Sequence, residues 1–476
     1  MRASQELSLG WVGVRDGAHP RSSTRPGLPH RGDAHVKLAI LGAGVSGLAL
    51  ARTLAEGGFA PDDLTLFEAA PVPGGLCRSR TVEGFTYDVA GGHILYSKDA
   101  EVMDWMKAEA GGPSAFTSCE RNTKIRFEDR WVHYPFENGL GDLPPQANFD
   151  CLSGYVQAWH ERSVSNSTAP DDFGTWIQWR FGKGIAEHFM NPYNEKIWKR
   201  PLTEVSSDWV AGRVPDAPVE DVIRSAVGIR TEGYTHQSSF FYPLNGGFQA
   251  ITDGMAGRVA DRIRLNTLVE SLQRTPSGWN VNGESFDLVV STLPLDVLHS
   301  LVAEVPADIT EAMQTLEFNG LVTYLVALDR PEQSDLSWIY LPHESQGPAN
   351  RVTYMSNYSP NNAPEGKSSL LVEITYRGGA PVPAQSLEGE TLKGLESAGL
   401  ISRSEVLFAD RADVSHAYVV FDQGYNARRE AIFRWMDEVD LIPLGRFGRY
   451  EYDNSDLCVS KARALAAGLL ARAARG

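Results

Sequence analysis

Short apolar runs alternate with helical spacing near the start of the regular part of the chain. Val36–Leu41 is apolar and stops at a glycine, which is typical of a buried parallel strand. Leu48–Ala55 has helical spacing, and Leu64–Glu68 is a second apolar run. Because about thirty residues suffice for one crossover, these segments predict a β-α-β unit.

The same kinds of pattern recur further along the chain. Residues 99–230 combine helical periodicity with many tryptophans, and 318–328 and 368–376 have the composition of strands. Asp287–Leu293 is another buried strand, stopped by Pro294, and the Ala/Leu-rich C-terminus predicts a helix. We expect Asp287–Leu293 to share a sheet with the first two strands, so that other domains are inserted between them.

The fold class predicted from these elements is α/β. A doubly wound, Rossmann-like dinucleotide-binding domain carries an inserted helical domain and a smaller β-sheet domain. The predicted boundaries are 36–98, 236–300 and 421–476 for the dinucleotide domain, 99–235 for the helical domain and 301–420 for the β-sheet domain. Residues 1–35 contain no apolar stretch of the kind a secretory signal needs, so we interpret them as a disordered extension or an upstream start-site artefact.

Composition narrows the possible partners of this 476-residue chain. Its 60 acidic and 44 basic residues give a net charge of −16, which argues against nucleic-acid binding and against a basic membrane-binding surface. The four cysteines show no Cys-x-x-Cys spacing, which argues against a metal site and suits a reduced, cytoplasmic protein. Oligomeric state cannot be read from the sequence.

A glycine motif follows the first strand and precedes the first helix. In Gly42-Ala-Gly44-Val-Ser-Gly47, the glycines permit a tight turn, close approach of a diphosphate, and packing of the helix on the strand. Glu68 ends the second strand, where a carboxylate can accept hydrogen bonds from a ribose diol. The spacing therefore predicts dinucleotide binding.

A second glycine pair selects the cofactor. Pro73–Ser79, with Gly75, Leu76 and Arg78, resembles the segment that lines the FAD diphosphate in flavoproteins of the amine-oxidase and glutathione-reductase types. FAD is therefore predicted rather than NAD. Two further segments are candidates to border the flavin. One is Gly91-Gly92-His93, and the other is the C-terminal run containing Arg446, Asn454, Ser455 and Asp456, whose last three residues are good helix caps.

An ordered set of motifs resembles the UDP-galactopyranose mutase family, more the eukaryotic than the short bacterial type. The motifs are Gly91–Ile94, Tyr134-Pro135-Phe136, Pro192-Tyr193-Asn194 with Trp198, Arg213, Arg351 followed by Ser356–Pro360, and Gly445–Gly448. The resemblance covers about 36–470. It implies an isomerase that uses reduced FAD without net redox change. The resemblance implies that the flavin N5 displaces the nucleoside diphosphate from the anomeric carbon, that the opened sugar recloses on a different hydroxyl, and that the diphosphate then returns, which converts a pyranose into a furanose. NADPH or NADH is implied as reductant.

The resemblance also assigns roles to individual residues. Arg213 and Arg351 correspond to a diphosphate clamp, and arginine suits that role because it binds phosphate oxygens bidentately. His93 and Arg446 correspond to groups beside the flavin. The positions that correspond to substrate contacts are Tyr134, Phe136, Asn194, Trp198, Tyr340, Tyr425 and Tyr452.

Two departures from the family pattern put the base and the sugar in doubt. Glu137 stands where the eukaryotic-type pattern has glutamine, and an ionised carboxylate only accepts hydrogen bonds. It would suit the two N–H groups of guanine better than uracil, unless it points away from the base. Gln237 stands where a sugar-contacting asparagine is expected.

Two other interpretations stay open on the sequence alone. An FAD oxidase or desaturase of the amine-oxidase or protoporphyrinogen-oxidase type would carry the same glycine motifs. It would not need paired arginines and tyrosines for a diphosphate, and it would consume oxygen with its substrate. A non-enzymatic flavoprotein scaffold is the third interpretation, and a colourless purified protein would favour it.

Overall fold

The computed structural model describes residues 36–165, 167–210, 217–231 and 238–473. The α-helices are α1 Val45–Glu56, α2 Ala100–Glu109, α3 Pro145–Ser165, α4 Phe173–Ile185, α5 Asn191–Trp198, α6 Val219–Ala226, α7 Gln249–Gly257, α8 Leu295–Leu301, α9 Ala307–Gln314, α10 Met355–Tyr358, α11 Leu387–Ser397, α12 Tyr425–Glu438 and α13 Ser455–Ala473. The strands are β1 Leu38–Leu41, β2 Leu64–Phe67, β3 Ser79–Val82, β4 Phe85–Asp88, β5 Phe116–Glu120, β6 Thr123–Phe127, β7 Arg130–His133, β8 Ser239–Pro243, β9 Ile263–Arg264, β10 Leu272–Thr275, β11 Gly278–Val281, β12 Glu284–Phe286, β13 Leu288–Ser291, β14 Phe318–Leu328, β15 Trp338–Tyr340, β16 Arg351–Tyr354, β17 Ser368–Arg377, β18 Val406–Val419 and β19 Leu441–Pro443.

The first sheet is parallel and has the order β19-β13-β1-β2-β9. Leu38 is in register with Leu64 on one side and with Leu288 on the other. The predicted β-α-β unit is therefore confirmed, and so is the expectation that a strand near 287–293 lies in the same sheet. All four residues of β1 are fully buried. Leu38 and Ile40 belong to the apolar cluster that includes α1, whereas Ala39 and Leu41 belong to the cluster that includes Trp279 and Phe286 of the small antiparallel sheet.

The second sheet has seven strands in the order β18-β14-β17-β16-β15-β6-β7. Its pairs are antiparallel except β15 with β6, which is parallel. The segment 99–235, predicted as a helical domain, also contributes β6 and β7 to this larger sheet. Their neighbour β15 lies more than two hundred residues later in the chain, so the local pattern could not indicate the pairing.

The remaining elements connect and cover these two sheets. Helices α3 to α6 form the helical layer, β10, β11 and β12 form a small antiparallel sheet, and β3–β4 and β5–β8 are two-stranded. Within the described ranges, no helix has the length and apolar character needed to cross a bilayer. Residues 1–35, Arg213 and Gln237 lie outside the described residues, so the predictions made for them stay predictions.

Candidate functional site

The first glycine loop joins β1 to α1 and needs its glycines for steric reasons. Gly42 has φ +101°, and a Cβ there would lie 2.4 Å from the Thr292 hydroxyl oxygen. A Cβ on Gly47 would lie 2.1 Å from the carbonyl oxygen of Gly42. Gly44 caps α1 without a side-chain hydrogen bond, which leaves the positive end of the helix facing the loop. The loop therefore presents bare backbone to an anion.

The second glycine pair lies directly against this loop. Gly74 and Gly75 have φ values of +113° and +56°, and the Gly74 N–H donates to the Ala43 carbonyl at 2.8 Å. A Cβ on Gly75 would lie 3.0 Å from Gly44 Cα, so no side chain intrudes between the two segments. Arg78 folds back to donate from Nε to the Gly75 carbonyl at 3.1 Å.

Glu68 is fixed by the same loops. Its Oε2 accepts from the Ala43 N–H and its Oε1 from the Ala70 N–H, each at 2.9 Å. Since a carboxylate has about four lone-pair sites, each oxygen keeps one for a ribose hydroxyl. The structure thus brings the predicted dinucleotide-binding residues together.

The segment around His93 is held by a fully buried carboxylate. Asp88 accepts from the His93 backbone N–H at 3.1 Å and from the Tyr242 hydroxyl at 2.9 Å. The imidazole of His93 stacks on Phe248, with ring centroids 5.1 Å apart, and its buried Nδ1 has no hydrogen-bond partner. Burial lowers the pKa of His93, Asp88 opposes that shift and Arg351 adds to it, so the ring is neutral at pH 7.

Arg351, at the start of β16, is paired with a carboxylate that the sequence analysis did not identify. Its Nε and Nη2 approach Oε1 of Glu373 at 2.7 and 2.6 Å, and the same oxygen accepts from the Gly92 N–H at 3.1 Å. Glu373 is fully buried in β17, and its Oε2 has no hydrogen-bond partner in the part of the chain that the structure describes. Burial would lower the pKa of Arg351, but Glu373 and nearby tyrosines raise it well above its ordinary value.

A group of tyrosines surrounds Arg351. Tyr340 is its register partner across β15 and β16, and the Tyr340 ring lies 5.3 Å from Tyr134 and 5.1 Å from Tyr193, between centroids. Burial and the Glu373 carboxylate raise the pKa of Tyr418, while Arg351 opposes the shift. A phenol hydroxyl can donate a hydrogen bond, and we call Tyr134, Tyr193, Tyr340 and Tyr418 together with Arg351 the tyrosine cluster.

Arg446 links this cluster to the start of α13. Its guanidinium lies 4.4 Å from the Tyr452 ring and 5.7 Å from that of Tyr418. Its Nη1 donates to the Asp453 carbonyl at 3.1 Å, while its buried Nε has no partner. The capping segment Asn454–Asp456 follows at once and begins α13, and burial raises the pKa of Asp456.

Several predicted substrate residues have other partners. The Tyr425 hydroxyl donates to the Tyr450 carbonyl, so in this arrangement it cannot donate to a diphosphate. The Asn194 amide donates to the Met190 carbonyl of the preceding turn at 2.7 Å. Trp198 is buried against Trp209, with ring centroids 5.2 Å apart, and has an unpartnered indole N–H. All three side chains are buried, and their role in substrate binding stays a prediction.

The segment after Tyr134 is buried as well. Phe136 stacks on Phe189 at 4.7 Å and Phe189 stacks on Tyr193 at 5.3 Å, between ring centroids, and we call these three rings the aromatic wall. Glu137 is buried beside them, with 6% of its surface exposed, and its charge acts on Tyr134.

Comparison with known proteins relates this geometry to flavoenzymes. Residues 40–108 match the family model of the NAD(P)-binding Rossmann-like domain, and residues 187–394 match that of flavin-containing amine oxidoreductases. A stretch of 95 residues is 33% identical to a zeta-carotene-forming phytoene desaturase from Myxococcus xanthus. That stretch covers 20% of this chain and only 18% of the desaturase.

Solved structures match over nearly the whole chain. A reduced UDP-galactopyranose mutase superposes with a TM-score of 0.84 at 27% identity, covering 92% of this chain and 96% of the mutase. A protein named as a protoporphyrinogen oxidase, from Exiguobacterium sp. 255-15, gives 0.70 at 15% identity, covering 92% and 99%. A putrescine oxidase double mutant gives 0.62 at 16%, also covering 92% and 99%. The chain has the fold of the FAD-dependent amine-oxidase superfamily.

The residues of the candidate site fit FAD, the cofactor expected for a protein with this fold. The two glycine segments form a groove of bare backbone for a diphosphate, and Glu68 keeps lone pairs for the ribose. Nδ1 of His93 and Nε of Arg446 are buried nitrogen atoms without a hydrogen-bond partner among the described residues, and they belong to the two segments predicted to border the flavin ring. A buried polar atom without a partner calls for a missing ligand or water, and here the flavin is the natural candidate.

Sequence reasoning missed Glu373 and Tyr418 and did not assign Tyr193 a role. Glu373 carried a usable signal, since it is the single charge within the apolar run of β17. A lone buried carboxylate in such a run needs a cationic partner. Tyr418 had no comparable signal, because tyrosine is common in strands of this composition.

Proposed function

We propose that this protein is a flavin-dependent nucleotide-sugar mutase that interconverts pyranose and furanose forms without net redox change. The observation that carries the proposal is the tyrosine cluster, with its arginine, beside the segments that fit a flavin. The full-length likeness to a UDP-galactopyranose mutase supports it. An oxidase acting on an apolar substrate would have no use for an arginine and four hydroxyl donors in its cleft.

Arg351 would orient the diphosphate of the substrate. Glu373 pairs with its Nε and Nη2, and among the described residues no hydrogen bond or ion pair involves its Nη1. The ion pair holds the guanidinium plane in one orientation and leaves one edge for phosphate oxygens. Tyr134, Tyr193 and Tyr340 would donate hydrogen bonds as negative charge accumulates on the leaving diphosphate.

Reduced FAD, when bound, would supply N5 as the nucleophile toward the anomeric carbon, with NADPH or NADH as the proposed reductant. Neutral His93 adds no positive charge beside the ring and can donate or accept a single hydrogen bond through Nδ1. Arg446 places a positive charge near the expected flavin without a carboxylate partner among the described residues. That charge would favour the anionic reduced flavin.

The base of the nucleotide is part of the proposal. Glu137 is buried and follows Phe136 in the chain, whose ring belongs to the aromatic wall formed with Phe189 and Tyr193. If this wall receives the base, guanine suits the carboxylate better than uracil, because guanine offers two adjacent N–H donors. We therefore propose that a GDP-sugar is accepted at least as well as a UDP-sugar.

An oxidase or desaturase is the second candidate. The desaturase-like stretch and the match to flavin-containing amine oxidoreductases favour it. The two candidates differ in what they consume, since a mutase needs only an initial reduction, whereas an oxidase consumes oxygen with each turnover.

The test is an anaerobic assay with the flavin reduced by dithionite. UDP-galactofuranose is added to reduced and to oxidised protein, conversion is followed by chromatography, and binding of UDP and GDP is measured by calorimetry. Conversion only by reduced protein establishes the mutase. Binding of GDP without conversion of the UDP-sugar directs the assay to GDP-sugars. If neither nucleotide binds and substrate-dependent oxygen uptake is found, the mutase proposal fails.

A further inference from the structure

A buried lysine ties α5 to the end of β15. Lys196 is only 4% exposed, and its Nζ donates to the Leu341 carbonyl at 3.0 Å and to the His343 carbonyl at 3.1 Å. Among the described ion pairs, none joins Lys196 to a carboxylate within 4.0 Å. A lysine buried this deeply without an acidic partner is unusual.

The two carbonyls follow directly after Tyr340. On α5, Tyr193 stands three residues before Lys196, so both side chains lie on the same face of the helix. The Tyr193 and Tyr340 rings meet edge to face, 5.1 Å apart. The helix and the strand end are thus joined at two neighbouring points, one aromatic and one through the lysine.

The charges near Lys196 do not offset the cost of burying its ammonium group. Burial lowers the pKa of Lys196 to about 7, Lys199 on the same helix adds to that shift, and Glu344 opposes it. Burial and the Lys196 charge also lower the pKa of His343, whereas Glu128 opposes that shift. A methionine would fill the same space without this electrostatic cost, but it could not bind the two carbonyls.

We propose that Lys196 is a positioning residue that sets the contact between Tyr193 and Tyr340, and through it the wall of the tyrosine cluster against Arg351. Tyr340 pairs in register with Arg351, so a shift of the β15 end moves the donors that face the diphosphate. The effect on nucleotide-sugar binding rests on the proposed function. The effect on the geometry of α5 and β15 does not.

The test compares Lys196→Met, Lys196→Arg and a matched control, Lys183→Met. Lys183 lies on α4, its side chain is 78% exposed, and it pairs only with Glu187 one turn later. We expect K196M to weaken UDP and GDP binding to the oxidised flavoprotein about tenfold and to raise KM equally, with kcat changed less than about twofold. K196R keeps donors and should restore most of the affinity, and K183M should match wild type.

A crystal structure of K196M supplies a readout that needs no activity. We expect the Tyr193 and Tyr340 rings to separate by at least 1 Å while the glycine segments and the flavin absorbance stay as in wild type. If K196M does not retain flavin, the same measurements on Lys196→Gln, which keeps a shorter donor, take its place.

Three outcomes have distinct meanings. Weaker binding together with separated rings supports the proposal. Unchanged rings and unchanged affinity in K196M overturn it. If wild-type protein binds neither nucleotide, the proposed function fails, and the ring separation alone then decides whether Lys196 positions the two tyrosines.

Discussion

The ion pair between Arg351 and Glu373 gives an asymmetric prediction for stability. Glu373 is fully buried, whereas 26% of the Arg351 side chain is exposed. Removing the carboxylate as Glu373→Gln leaves an arginine that water can reach. Removing the cation as Arg351→Met leaves a buried carboxylate whose Oε2 already has no partner. The second change should therefore cost more.

The magnitudes follow from the contacts. Breaking a buried pair by removing one partner costs about 3–5 kcal/mol. Glu373→Gln belongs at the lower end, about 3 kcal/mol, since the amide can still accept from the Gly92 N–H. Arg351→Met belongs at the upper end, about 5 kcal/mol. The double variant should cost at least about 2 kcal/mol less than the sum, because neither charge then stays unpaired.

The assay is urea unfolding of the flavin-saturated proteins, followed by tryptophan fluorescence and by flavin release. Coincident transitions are required before a free energy is assigned. The surface pair Arg264 and Glu284, with side chains 45% and 50% exposed, is the control and should show a coupling below about 1 kcal/mol. A coupling under about 0.5 kcal/mol for Arg351 and Glu373, or a larger cost for Glu373→Gln than for Arg351→Met, would refute the reasoning.

Three further predictions concern single positions. Gly47→Ala should weaken FAD binding about 5- to 150-fold in a titration of the apoprotein, because the added Cβ would lie 2.1 Å from the Gly42 carbonyl oxygen and overpacking costs about 1–3 kcal/mol. Tyr425→Phe should lower the free energy of unfolding by about 1 kcal/mol and leave nucleotide affinity unchanged, because its hydroxyl donates to the Tyr450 carbonyl. Tyr340→Phe should weaken nucleotide binding at unchanged stability. Equal losses of nucleotide affinity in the two variants, measured by calorimetry, would contradict these different roles. Because of Lys196, the free energy of unfolding of the wild type should rise with pH between about 7 and 10.5, by up to about 1.4 kcal/mol per pH unit. In that range the unfolded chain still holds the lysine proton that the folded chain has released. K196M should lack this slope in urea titrations at several pH values.

The parts of the fold that depend on local pattern could be predicted from the sequence. β1, α1, β2 and β13 each carry their signal in a few residues: an apolar run, a glycine turn, and a proline stop. The partner of β6 could not be predicted in this way, because its neighbour β15 is decided by long-range packing of the whole sheet.

In the candidate site, too, features fixed by local sequence could be predicted, whereas features fixed by tertiary contacts could not. Glycine positions could be predicted, because steric constraints at Gly42 and Gly47 act within one turn of the chain. The partners of polar side chains could not. The substrate contact expected for Tyr425 required its hydroxyl to face the diphosphate, but in the structure this hydroxyl donates to the Tyr450 carbonyl. The partner of Arg351 is Glu373 on the neighbouring strand β17, and the sequence showed this residue only as a charge within an apolar run.

The two arginines of the described site differ in electrostatic state, and that difference bears on the proposed reaction. Arg351 is neutralised by Glu373, so it contributes direction more than net charge. Arg446 has no carboxylate partner among the described residues and keeps its full charge beside the expected flavin. A leaving group that must return to the sugar should not be bound too tightly in the ground state, since uniform binding does not accelerate the chemical step. Under the proposed function, Arg351 would orient the diphosphate without adding net charge and Arg446 would stabilise the reduced flavin, whereas two unpaired arginines on the diphosphate would hold it in place.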